Sequence, residues 1–486
     1  MEISWVKQSA QLAGIIEGSV VHKSWKGKKV VIVGAARQGT ALARYLSKQG
    51  AKLVITDAKT KDELGPSIEM LADLDIDWAL GGHPVSLLES ADLVCVSGGV
   101  PLTTPLIRAA IVQGIPVSND SQIFLEAVPG KTIGITGSAG KTTTTTLLGD
   151  IAQKYQLKPA LPKRYRKIWV GGNIGHPLIA DLDAMSRDDL VIMELSSFQL
   201  EIMKLSPSIA AILNITPNHL DRHGTMDAYI EAKAQLLANQ TNCDIAVLNR
   251  EDVGAWSLRQ RVKGNLLTFG LGWHGLNLSG AYVKDGWIYF QGDSGGVEKI
   301  LPLGEIQLRG QHNLFNILAA CTIARAAEIP IESIRAGVAA FKGVAHRLEH
   351  VRSWKEVDWY NDSIATAPER SMAAIRSFDE PIVLLAGGRD KDLPWDEFAS
   401  LVTRRVRALI LFGEAAGKIE RAIKTVPGEN ETILIRCSGL KDAIQAAAEV
   451  ARSGDVVLLS PGGTSFDEFK DFEERGECFR KWVMEL

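Results

Sequence analysis

The chain has 486 residues, of which 46% are hydrophobic and 23% charged, and its formal net charge is −3. This length predicts about three domains, and the balanced charge excludes the broad positive field that favours nucleic-acid or anionic-membrane partners. The five cysteines lack Cys-x-x-Cys spacing, and no signal-peptide pattern or long apolar run occurs. We therefore expect a cytoplasmic protein whose partners are small molecules.

A strand, a glycine turn and a helix are predicted near the start of the chain. Strands are expected at Lys29–Val33 and Lys52–Asp57, with a helix from Thr40 to Gln49 between them. The turn Gly34-Ala-Ala-Arg-Gln-Gly39 has the first and third glycines of the dinucleotide fingerprint, but alanine occupies the middle position. Asp57 lies where an acidic residue can meet a ribose hydroxyl. A purely structural Rossmann turn is the alternative.

The segment Lys131–Leu148 predicts a strand, a glycine loop and a helix in succession. Gly137 and Gly140 bracket the loop, whose backbone N–H groups can close around an anion. Lys141 and Thr142 open the helix, so a polyphosphate would have Lys141 on its outer phosphates and the Thr142 hydroxyl on Mg²⁺. The spacing is shorter than the eight-residue phosphate-loop motif, but its position between strand and helix predicts ATP or GTP. A plain glycine turn is the alternative.

Polar residues follow the next two predicted strands. The strand Asp189–Met193 delivers Glu194 at its carboxyl end, where open α/β sheets bind ligands, and a carboxylate there suits Mg²⁺. The strand Ala210–Leu213 leads into a loop with His219 and His223, which could reach a metal or phosphate. A salt-bridged glutamate and surface histidines are the alternatives.

A helix is then predicted from Met226 to Asn239. Taken alone, Lys233 within it is an ordinary helix lysine. Further on, Ala281–Phe290 predicts a hairpin around Lys284-Asp-Gly286, and Gln311 begins an alanine-rich helix that runs through Ala327. The basic stretch Leu157–Lys167 is interpreted as an exposed loop, since a short charge run is usually a solvated face.

The remaining part of the chain predicts a third α/β domain. Its strands are expected at Pro381–Ala386, Val406–Phe412, Thr432–Ile435 and Asp455–Leu459. Glycine- and hydroxyl-rich loops lie near the ends of such strands, at Asp362-Ser363, Gly387–Lys391 and Ser460–Ser465. Three loops of this kind at one sheet edge indicate a ligand-facing rim.

These signals, in this order, resemble the Mur ligase family of bacterial peptidoglycan synthesis. The resemblance covers nearly the whole chain and rests on the segments Thr136–Thr142, Gly171–Gly175, Glu194–Glu201, His219–Arg222, Gln311–Asn313, His346-Arg347, Asn361–Ser363, Leu459–Pro461 and Ser465–Phe469. Jointly the segments are highly specific. The Glu194–Leu200 segment and the Ser465–Phe472 region favour the glutamate-adding branch of the family.

The resemblance implies a three-domain α/β architecture. Residues 1–128 would form a Rossmann-like domain that binds the UDP part of the substrate, residues 129–344 a central P-loop ATP-binding domain, and residues 345–486 a Rossmann-like domain that binds the amino acid. The implied reaction is ATP-dependent addition of D-glutamate to UDP-N-acetylmuramoyl-L-alanine through an acyl phosphate. Such chemistry depends on positioning and charge neutralisation more than on a protein nucleophile.

The resemblance also implies roles for individual residues. The catalytic set would be Lys141, Glu194, His219 and Lys233. The ATP-binding set would be Gly137, Ser138, Ala139, Gly140, Lys141, Thr142, Thr143, Asn313, Arg347 and Asp362. The substrate-binding set would be Gly34, Arg37, Gln38, Gly39, Asp57, Asn173, Ser196, Thr366, Lys391, Ser465, Phe466 and Phe472. Two Mg²⁺ ions would be held by Thr142, Glu194, His219 and a Lys233 carbamylated by CO₂.

Three positions depart from the family pattern. Ala139 replaces the usual Asn or Lys, Gly98 replaces a proline, and Ile364 replaces a lysine near the reacting groups. Ile364 leaves L-glutamate open as the acceptor. Another Mur or folylpolyglutamate-type ligase, or a nucleotide-gated protein without ligase activity, is the competing interpretation. We expect a monomer without nucleic-acid or membrane partners.

Overall fold

The computed structural model describes residues 24–157, 164–173, 175–273, 278–390, 393–427 and 432–486. Two compact units divide the chain. The first comprises Met1–Lys284, Tyr289–Glu298 and Leu318–Ser333, and the second comprises Asp285–Ile288, Lys299–Ile317 and Ile334–Leu486. None of the described helices is both long and apolar enough to cross a membrane.

The first sheet has five strands in the order β3-β2-β1-β4-β5, and every neighbouring pair is parallel. Its strands are β1 Lys29–Val33, β2 Lys52–Asp57, β3 Ile76–Leu80, β4 Leu93–Val96 and β5 Val117–Ser118. Its helices are α1 Arg37–Lys48, α2 Gly65–Met70, α3 Pro105–Val112 and α4 Asp120–Ala127, and a 3₁₀ turn spans Val85–Leu88. The predicted βαβ unit is confirmed.

Helix α1 begins three residues before the predicted start at Thr40. Arg37 opens the helix after Ala36, which makes no side-chain capping hydrogen bond, so no capping residue marked this start in the sequence. Gly39 therefore lies inside the helix rather than in a turn. A Cβ atom on Gly39 would lie 2.0 Å from the carbonyl oxygen of Gly34, so the close approach of helix to turn requires glycine there.

The second sheet has nine strands in the order β14-β13-β12-β11-β10-β9-β6-β8-β7. Its strands are β6 Lys131–Thr136, β7 Ile168–Gly172, β8 Leu190–Glu194, β9 Ile209–Ile212, β10 Ile245–Asn249, β11 Asn265–Phe269, β12 Gly280–Lys284, β13 Trp287–Gln291 and β14 Val297–Pro302. The described pairings from β7 through β12 are parallel.

The helices between Lys131 and Glu349 lie between the strands of this sheet or, for the last two, after its final strand. They are α5 Lys141–Gln156, α6 Ser197–Leu200, α7 Leu220–His223, α8 Met226–Ala238, α9 Val253–Ser257, α10 Gln311–Ala326 and α11 Ile331–Ala340, with 3₁₀ turns at Leu178–Ala184, Leu258–Arg261 and Leu303–Glu305. Asp285 and Gly286, between β12 and β13, have φ values of 47° and 73°. Two consecutive positive φ values are typical of a type I′ hairpin turn, as Asp-Gly predicts.

Strand β6 is the point at which the order of this sheet reverses. The chain passes from β6 to β7 and β8 on one side, and β9 pairs with the other side of β6. In open parallel sheets the loops at the carboxyl ends of the strands beside such a point form the ligand crevice. The loops after β6, β7, β8 and β9 therefore meet at one edge.

The third sheet, in the second unit, has six strands in the order β15-β16-β20-β17-β18-β19. Its strands are β15 Glu349–Trp354, β16 Val357–Asn361, β17 Ile382–Gly387, β18 Val406–Phe412, β19 Ile433–Arg436 and β20 Val456–Gly462. Only β15 is antiparallel to its neighbour. Its helices are α12 Pro368–Ile375, α13 Asp396–Arg405, α14 Ala416–Thr425, α15 Leu440–Val450 and α16 Phe472–Glu485.

Strand β20 extends beyond its predicted end at Leu459. Ser460, Pro461 and Gly462 belong to the strand and are buried, although the sequence placed them in a loop. Pairing with β17 jumps from Leu385 to Gly387 where Pro461 lies, because proline has no N–H to donate to the ladder.

The continuous apolar runs of the parallel strands reflect burial on both faces. In β1, Val30 and Ile32 belong to one hydrophobic cluster, whereas Val31 and Val33 belong to another. Successive side chains of a strand point to opposite faces, so a strand covered on both sides has no polar alternation. The positions of these buried parallel strands could therefore be predicted from their uninterrupted apolar runs.

Candidate active site

The glycine loop after β6 is held in shape before any ligand binds. Gly140 has a left-handed backbone (φ 82°) and caps helix α5, a conformation that disfavours residues with a Cβ atom. The Lys141 ammonium donates to the Gly137 carbonyl at 2.9 Å. Asn214 accepts from the Ala139 N–H at 2.8 Å and donates to the Ala139 carbonyl at 3.0 Å. Sequence reasoning had not assigned a role to Asn214, although its position directly after β9 was a usable signal.

Glu194 contacts two other predicted residues at this sheet edge. Its side chain is 1% exposed. One carboxylate oxygen accepts from the Thr142 hydroxyl at 2.9 Å and the other from the Asn173 amide at 3.0 Å. The Asn173 N–H also donates to the Glu194 carbonyl at 2.9 Å. The structure thus brings Thr142, Asn173 and Glu194 together at one sheet edge. The sequence placed Glu194 beside the phosphate loop, whereas the contact between Asn173 and Glu194 was not predicted.

Lys233 is a buried amine rather than a surface lysine. Its side chain is 1% exposed, and its Nζ lies 3.4 Å from the Thr136 hydroxyl and 4.7 Å from the centre of the Tyr229 ring. Burial, together with the nearby Lys141 charge, lowers the pKa of Lys233 well below the usual lysine value. The amine is therefore disposed to be neutral and nucleophilic, which an ordinary helix lysine is not.

His219 lies on an exposed loop and caps the short helix α7 with a left-handed backbone (φ 53°). Its ring meets the Phe198 ring edge-on at 5.0 Å. Among the described residues no group of three or more His, Cys, Asp or Glu side chains is arranged to hold a metal ion. Of the predicted metal ligands, Thr142 and Glu194 contact each other, and metal binding by them and by His219 stays a prediction.

The donor set at Thr142 and Glu194 fits Mg²⁺. A carboxylate and a hydroxyl oxygen, 2.9 Å apart at the start of a helix, are hard ligands of the kind that Mg²⁺ shares with phosphate and water. Both donors that now satisfy the Glu194 carboxylate are neutral, so the buried negative charge remains available to a cation.

The predicted substrate residues of the first sheet surround the turn after β1. The Asp57 carboxylate accepts from the Ala35 N–H at 2.8 Å and from the Lys59 N–H at 2.9 Å, so it fixes the turn. Arg37 is exposed and Gln38 half-buried. Ser196 forms a capping box with Gln199 at the start of α6, which gives that hydroxyl a structural task. Their substrate contacts stay predictions.

The second unit holds the remaining predicted ATP residues, Asn313, Arg347 and Asp362, and the predicted amino-acid residues. Burial raises the pKa of Asp362 to about 7, although a hydrogen bond from the Ser460 hydroxyl at 2.8 Å and the nearby Arg347 charge act in the opposite direction. Asn313 is buried and donates to the Arg309 carbonyl at 2.7 Å.

The residues predicted around glutamate differ in exposure. Ser465 is 2% exposed, whereas Phe466 is 59% exposed. Thr366 is half-buried, and Phe472 begins helix α16. Lys391 lies outside the described residues.

A buried arginine that sequence reasoning missed organises these loops. Arg475 is fully buried, and its guanidinium donates to the Ser363 hydroxyl and to the carbonyls of Ser363, Gly463 and Thr464 at 2.8 to 3.2 Å. Burial lowers the pKa of Arg475 to about 10, despite the charges of Asp467 and Glu468. In the sequence Arg475 stands in a charged helix that reads as a solvated face. The adjacent Gly476 was the available signal, since a Cβ there would clash with His346.

Three family models match the chain. They are the Mur ligase MurD-like N-terminal domain over residues 28–119, the Mur ligase middle domain over residues 135–324, and the Mur ligase glutamate ligase domain over residues 346–463.

Similar curated proteins extend over nearly the whole length. A UDP-N-acetylmuramoylalanine--D-glutamate ligase of Pelotomaculum thermopropionicum is 41% identical over 96% of this chain and 99% of that protein. One of Koribacter versatilis is 39% identical over 95% of this chain and 98% of that protein.

Solved structures resemble the fold at lower identity. The UDP-N-acetylmuramate-alanine ligase MurC of Thermotoga maritima aligns with a TM-score of 0.56 and 17% identity, over 94% of this chain and 99% of that chain. The MurF ligase of Thermotoga maritima in complex with ADP aligns with a TM-score of 0.53 and 19% identity, over 96% and 97% of the two chains.

Proposed function

The chain belongs to the Mur ligase family, and from this premise we propose that it joins D-glutamate to UDP-N-acetylmuramoyl-L-alanine with cleavage of ATP to ADP and phosphate. Relatives that carry this activity in their names are 39–41% identical over almost the full length. The observation that carries the proposal is the convergence of Lys141, Thr142 and Glu194 at the carboxyl edge of β6 and β8. This arrangement suits a nucleoside triphosphate beside a metal-binding carboxylate.

Mur ligases are ATP-dependent and use Mg²⁺. In this chain Thr142 and Glu194 would hold the ion, which lowers the negative charge on the transferred phosphate. The loop N–H groups and the positive end of helix α5 would bind the phosphate oxygens, with Ser138, Ala139 and Thr143 contributing backbone or hydroxyl groups. The Lys141 ammonium would leave the Gly137 carbonyl to meet the outer phosphates.

The proposed reaction has two steps. The terminal carboxylate of the UDP substrate attacks the γ-phosphorus of ATP, the bond to the β-phosphate oxygen breaks, and ADP leaves. The amine of glutamate then attacks the carbonyl carbon of the acyl phosphate, loses a proton, and releases inorganic phosphate as the amide forms. Both steps bring anions together, so the main tasks of Lys141 and the helix dipole are charge neutralisation and alignment.

We propose further that Lys233 acts as a carbamate. A neutral buried amine can add CO₂ to give an anionic oxygen ligand, whereas an ammonium cannot bind a cation. The lowered pKa of Lys233 supports this step. The carbamate would complete a second Mg²⁺ site with His219 and Glu194.

The second unit is proposed to supply the amino-acid acceptor site and part of the ATP site. Asn313, Arg347 and Asp362 are assigned to ATP. Thr366, Lys391, Ser465, Phe466 and Phe472 are assigned to glutamate. We propose domain limits of 1–128, 129–344 and 345–486. We also propose a monomer in the cytoplasm that has no nucleic-acid or membrane partner. The UDP moiety is assigned to Gly34, Arg37, Gln38, Gly39, Asp57, Asn173 and Ser196.

L-glutamate is the second candidate acceptor. Ile364 offers no charge where a glutamate carboxylate would need a partner, and an unpaired buried carboxylate costs several kcal/mol. Reversing the α-carbon exchanges the directions of amine and carboxylate, so a different cation could then be used. The candidates are Lys391, Arg370 and Arg389. The Arg389 guanidinium donates to Glu414, Arg370 donates to the Ile364 carbonyl at 3.4 Å, and Lys391 lies outside the described residues.

A coupled ADP-release assay tests the proposal. The purified chain is supplied with ATP, Mg²⁺ and UDP-N-acetylmuramoyl-L-alanine, and then with D-glutamate or L-glutamate. We expect ADP release that requires both the UDP substrate and D-glutamate. A preference for L-glutamate would replace the acceptor while leaving the ligase reaction standing, and ATP turnover without any acceptor would contradict ligation.

A further inference from the structure

Arg222 connects loops of two different sheets. Its guanidinium donates to the carbonyls of Gly99 and Val100, each at 3.2 Å. Those carbonyls belong to the loop after β4 of the first sheet, whereas Arg222 lies in α7, after β9 of the nine-stranded sheet. Both loops belong to the first compact unit. The mechanism above gives Arg222 no task.

The arginine is held by the ring of Phe198. Its guanidinium carbon lies 4.5 Å from the centre of that ring, close enough for a cation–π contact. The same ring meets His219 edge-on at 5.0 Å and stacks on His223 at 5.3 Å with an interplanar angle of 8°. His223 is held in turn by the Ser197 hydroxyl at 3.0 Å. Arg222 and His219 thus pack on one ring, and His219 caps the short helix that contains Arg222.

The Gly98–Val100 loop, whose carbonyls accept hydrogen bonds from Arg222, lies beside predicted substrate residues. A Cβ atom on Gly98 would lie 3.8 Å from the Gln38 side chain and 3.9 Å from that of Gln199. Two consecutive glycines at positions 98 and 99 give this loop large conformational freedom, so the paired hydrogen bonds from Arg222 restrict it. A lysine could not form this pair of hydrogen bonds from two separate nitrogens, because it presents a single charged nitrogen.

We propose that Arg222 is a positioning residue that couples occupancy of the UDP-substrate site to the placement of His219. Binding at the Gly98–Val100 loop orders the two carbonyls, these fix Arg222, and Arg222 fixes the α7 segment that carries His219. The inference rests on the proposed function, because it assigns the UDP substrate to the first sheet and His219 to the reaction.

Amide hydrogen exchange tests the coupling without turnover. The unmodified chain, Arg222→Gln and Arg259→Gln are each measured with and without UDP-N-acetylmuramoyl-L-alanine, in the absence of ATP and Mg²⁺. Arg259 is the matched control, because it also lies over an aromatic ring (Trp256, 5.2 Å) and donates to a backbone carbonyl of its own turn.

In the unmodified chain and in Arg259→Gln, we expect the substrate to slow exchange at both residues 98–100 and residues 219–224, by about tenfold. In Arg222→Gln only the first segment should be protected. Equal protection of residues 219–224 in Arg222→Gln would overturn the coupling while leaving substrate binding intact. A lack of protection in the unmodified chain would contradict the proposed function and the coupling with it.

Steady-state kinetics give a second readout that a loss of folding would not mimic. Arg222→Gln should raise KM for the UDP substrate about tenfold and leave KM for ATP within about twofold. For Arg222→Lys, the KM for the UDP substrate should lie between those of the unmodified chain and Arg222→Gln. Parallel changes in both KM values, or no change in either, would contradict the assignment.

Discussion

The glycine loop of the first unit and the rim of the second unit, which is proposed to bind the amino acid, are built in different ways. At the phosphate loop, side chains from adjacent strand ends contact each other directly, as Thr142 and Asn173 contact Glu194. At the rim, a single buried cation, Arg475, binds backbone carbonyls of separate loops. In the first region the residues proposed to act on the ligand therefore contact one another. In the second region the loops are held in shape by a buried side chain beneath them.

The difference follows from what each region is proposed to bind. A polyphosphate has the same charges in every family member, so one short motif at a helix start can bind it. An amino acid is distinguished by the positions of its side groups, which requires loops from several strand ends. Substitutions at the phosphate loop should thus reduce catalysis without unfolding, whereas substitutions beneath the rim should reduce stability.

The largest expected effect is that of Lys141→Ala on catalysis. Removing the ammonium should lower kcat/KM by at least about 10³-fold, because phosphoryl transfer depends on charge stabilisation. The free energy of unfolding should change by less than about 1 kcal/mol, since the side chain is not in a core. Coupled ADP release and urea denaturation measure the two effects. Lys154→Ala, in the last turn of the same helix, is the control, and near-normal turnover in Lys141→Ala would break the comparison.

Lys233→Ala should lower turnover by about 10²-fold, because it removes the proposed carbamate ligand. Acetate or formate in the buffer should restore part of the activity, and it should not restore Lys141→Ala. Lys263→Ala, at a lysine that donates to the Ala238 carbonyl on the surface, should behave as the unmodified chain. Full activity of Lys233→Ala without added carboxylate would refute the role.

Arg475→Lys should act mainly on stability. A lysine cannot satisfy the carbonyls that the guanidinium reaches, and groups left unpaired in a buried site cost about 2–4 kcal/mol. Urea denaturation followed by a probe in the second unit measures the loss. Arg480→Lys, on the same helix at an ion pair with Glu349, should cost less than about 1 kcal/mol. Equal stability of the two variants would show that the rim is not organised by Arg475.

Asp362→Asn should change how the free energy of unfolding depends on pH. The native pKa of Asp362, about 7, lies above the unfolded value of 3.8. Its contribution to stability is therefore complete below about pH 4 and is lost as the pH rises to 7. Asp362→Asn has no carboxyl to ionise and does not lose this contribution. The free energy of unfolding of the variant minus that of the unmodified chain should therefore rise between about pH 4 and pH 7, by roughly 4 kcal/mol at most.

Denaturation midpoints at pH 4, 5.5 and 7 check this trend. Asp358→Asn is the control, because hydrogen bonds from Ser353 and His350 outweigh burial and lower the pKa of Asp358. Its contribution to stability is lost only below about pH 4, so the relative stability of Asp358→Asn should be flat over the measured interval. A relative stability of Asp362→Asn that is flat between pH 4 and 7 would contradict the raised pKa.

The sequence predicted the parts that depend on contiguous residues. The strand, glycine loop and helix around Lys141 are confirmed, as are the strand that delivers Glu194 and the helix that carries Lys233. Asn214 and Arg475 were missed because their partners lie on strands that become neighbours only through crossovers of the sheet. The start of helix α1 was missed because Ala36 offers no capping side chain.

The left-handed backbone of His219 makes an enzyme of this kind vulnerable to engineering for heat resistance. A histidine at a φ of 53° is strained relative to glycine, by about 1 kcal/mol or more. A library screened only for soluble protein after heating would therefore enrich His219→Gly, because the replacement relaxes the chain. If the imidazole binds metal, the survivors of such a screen would be robust and inactive. A selection scheme for this scaffold has to measure ligation in every round.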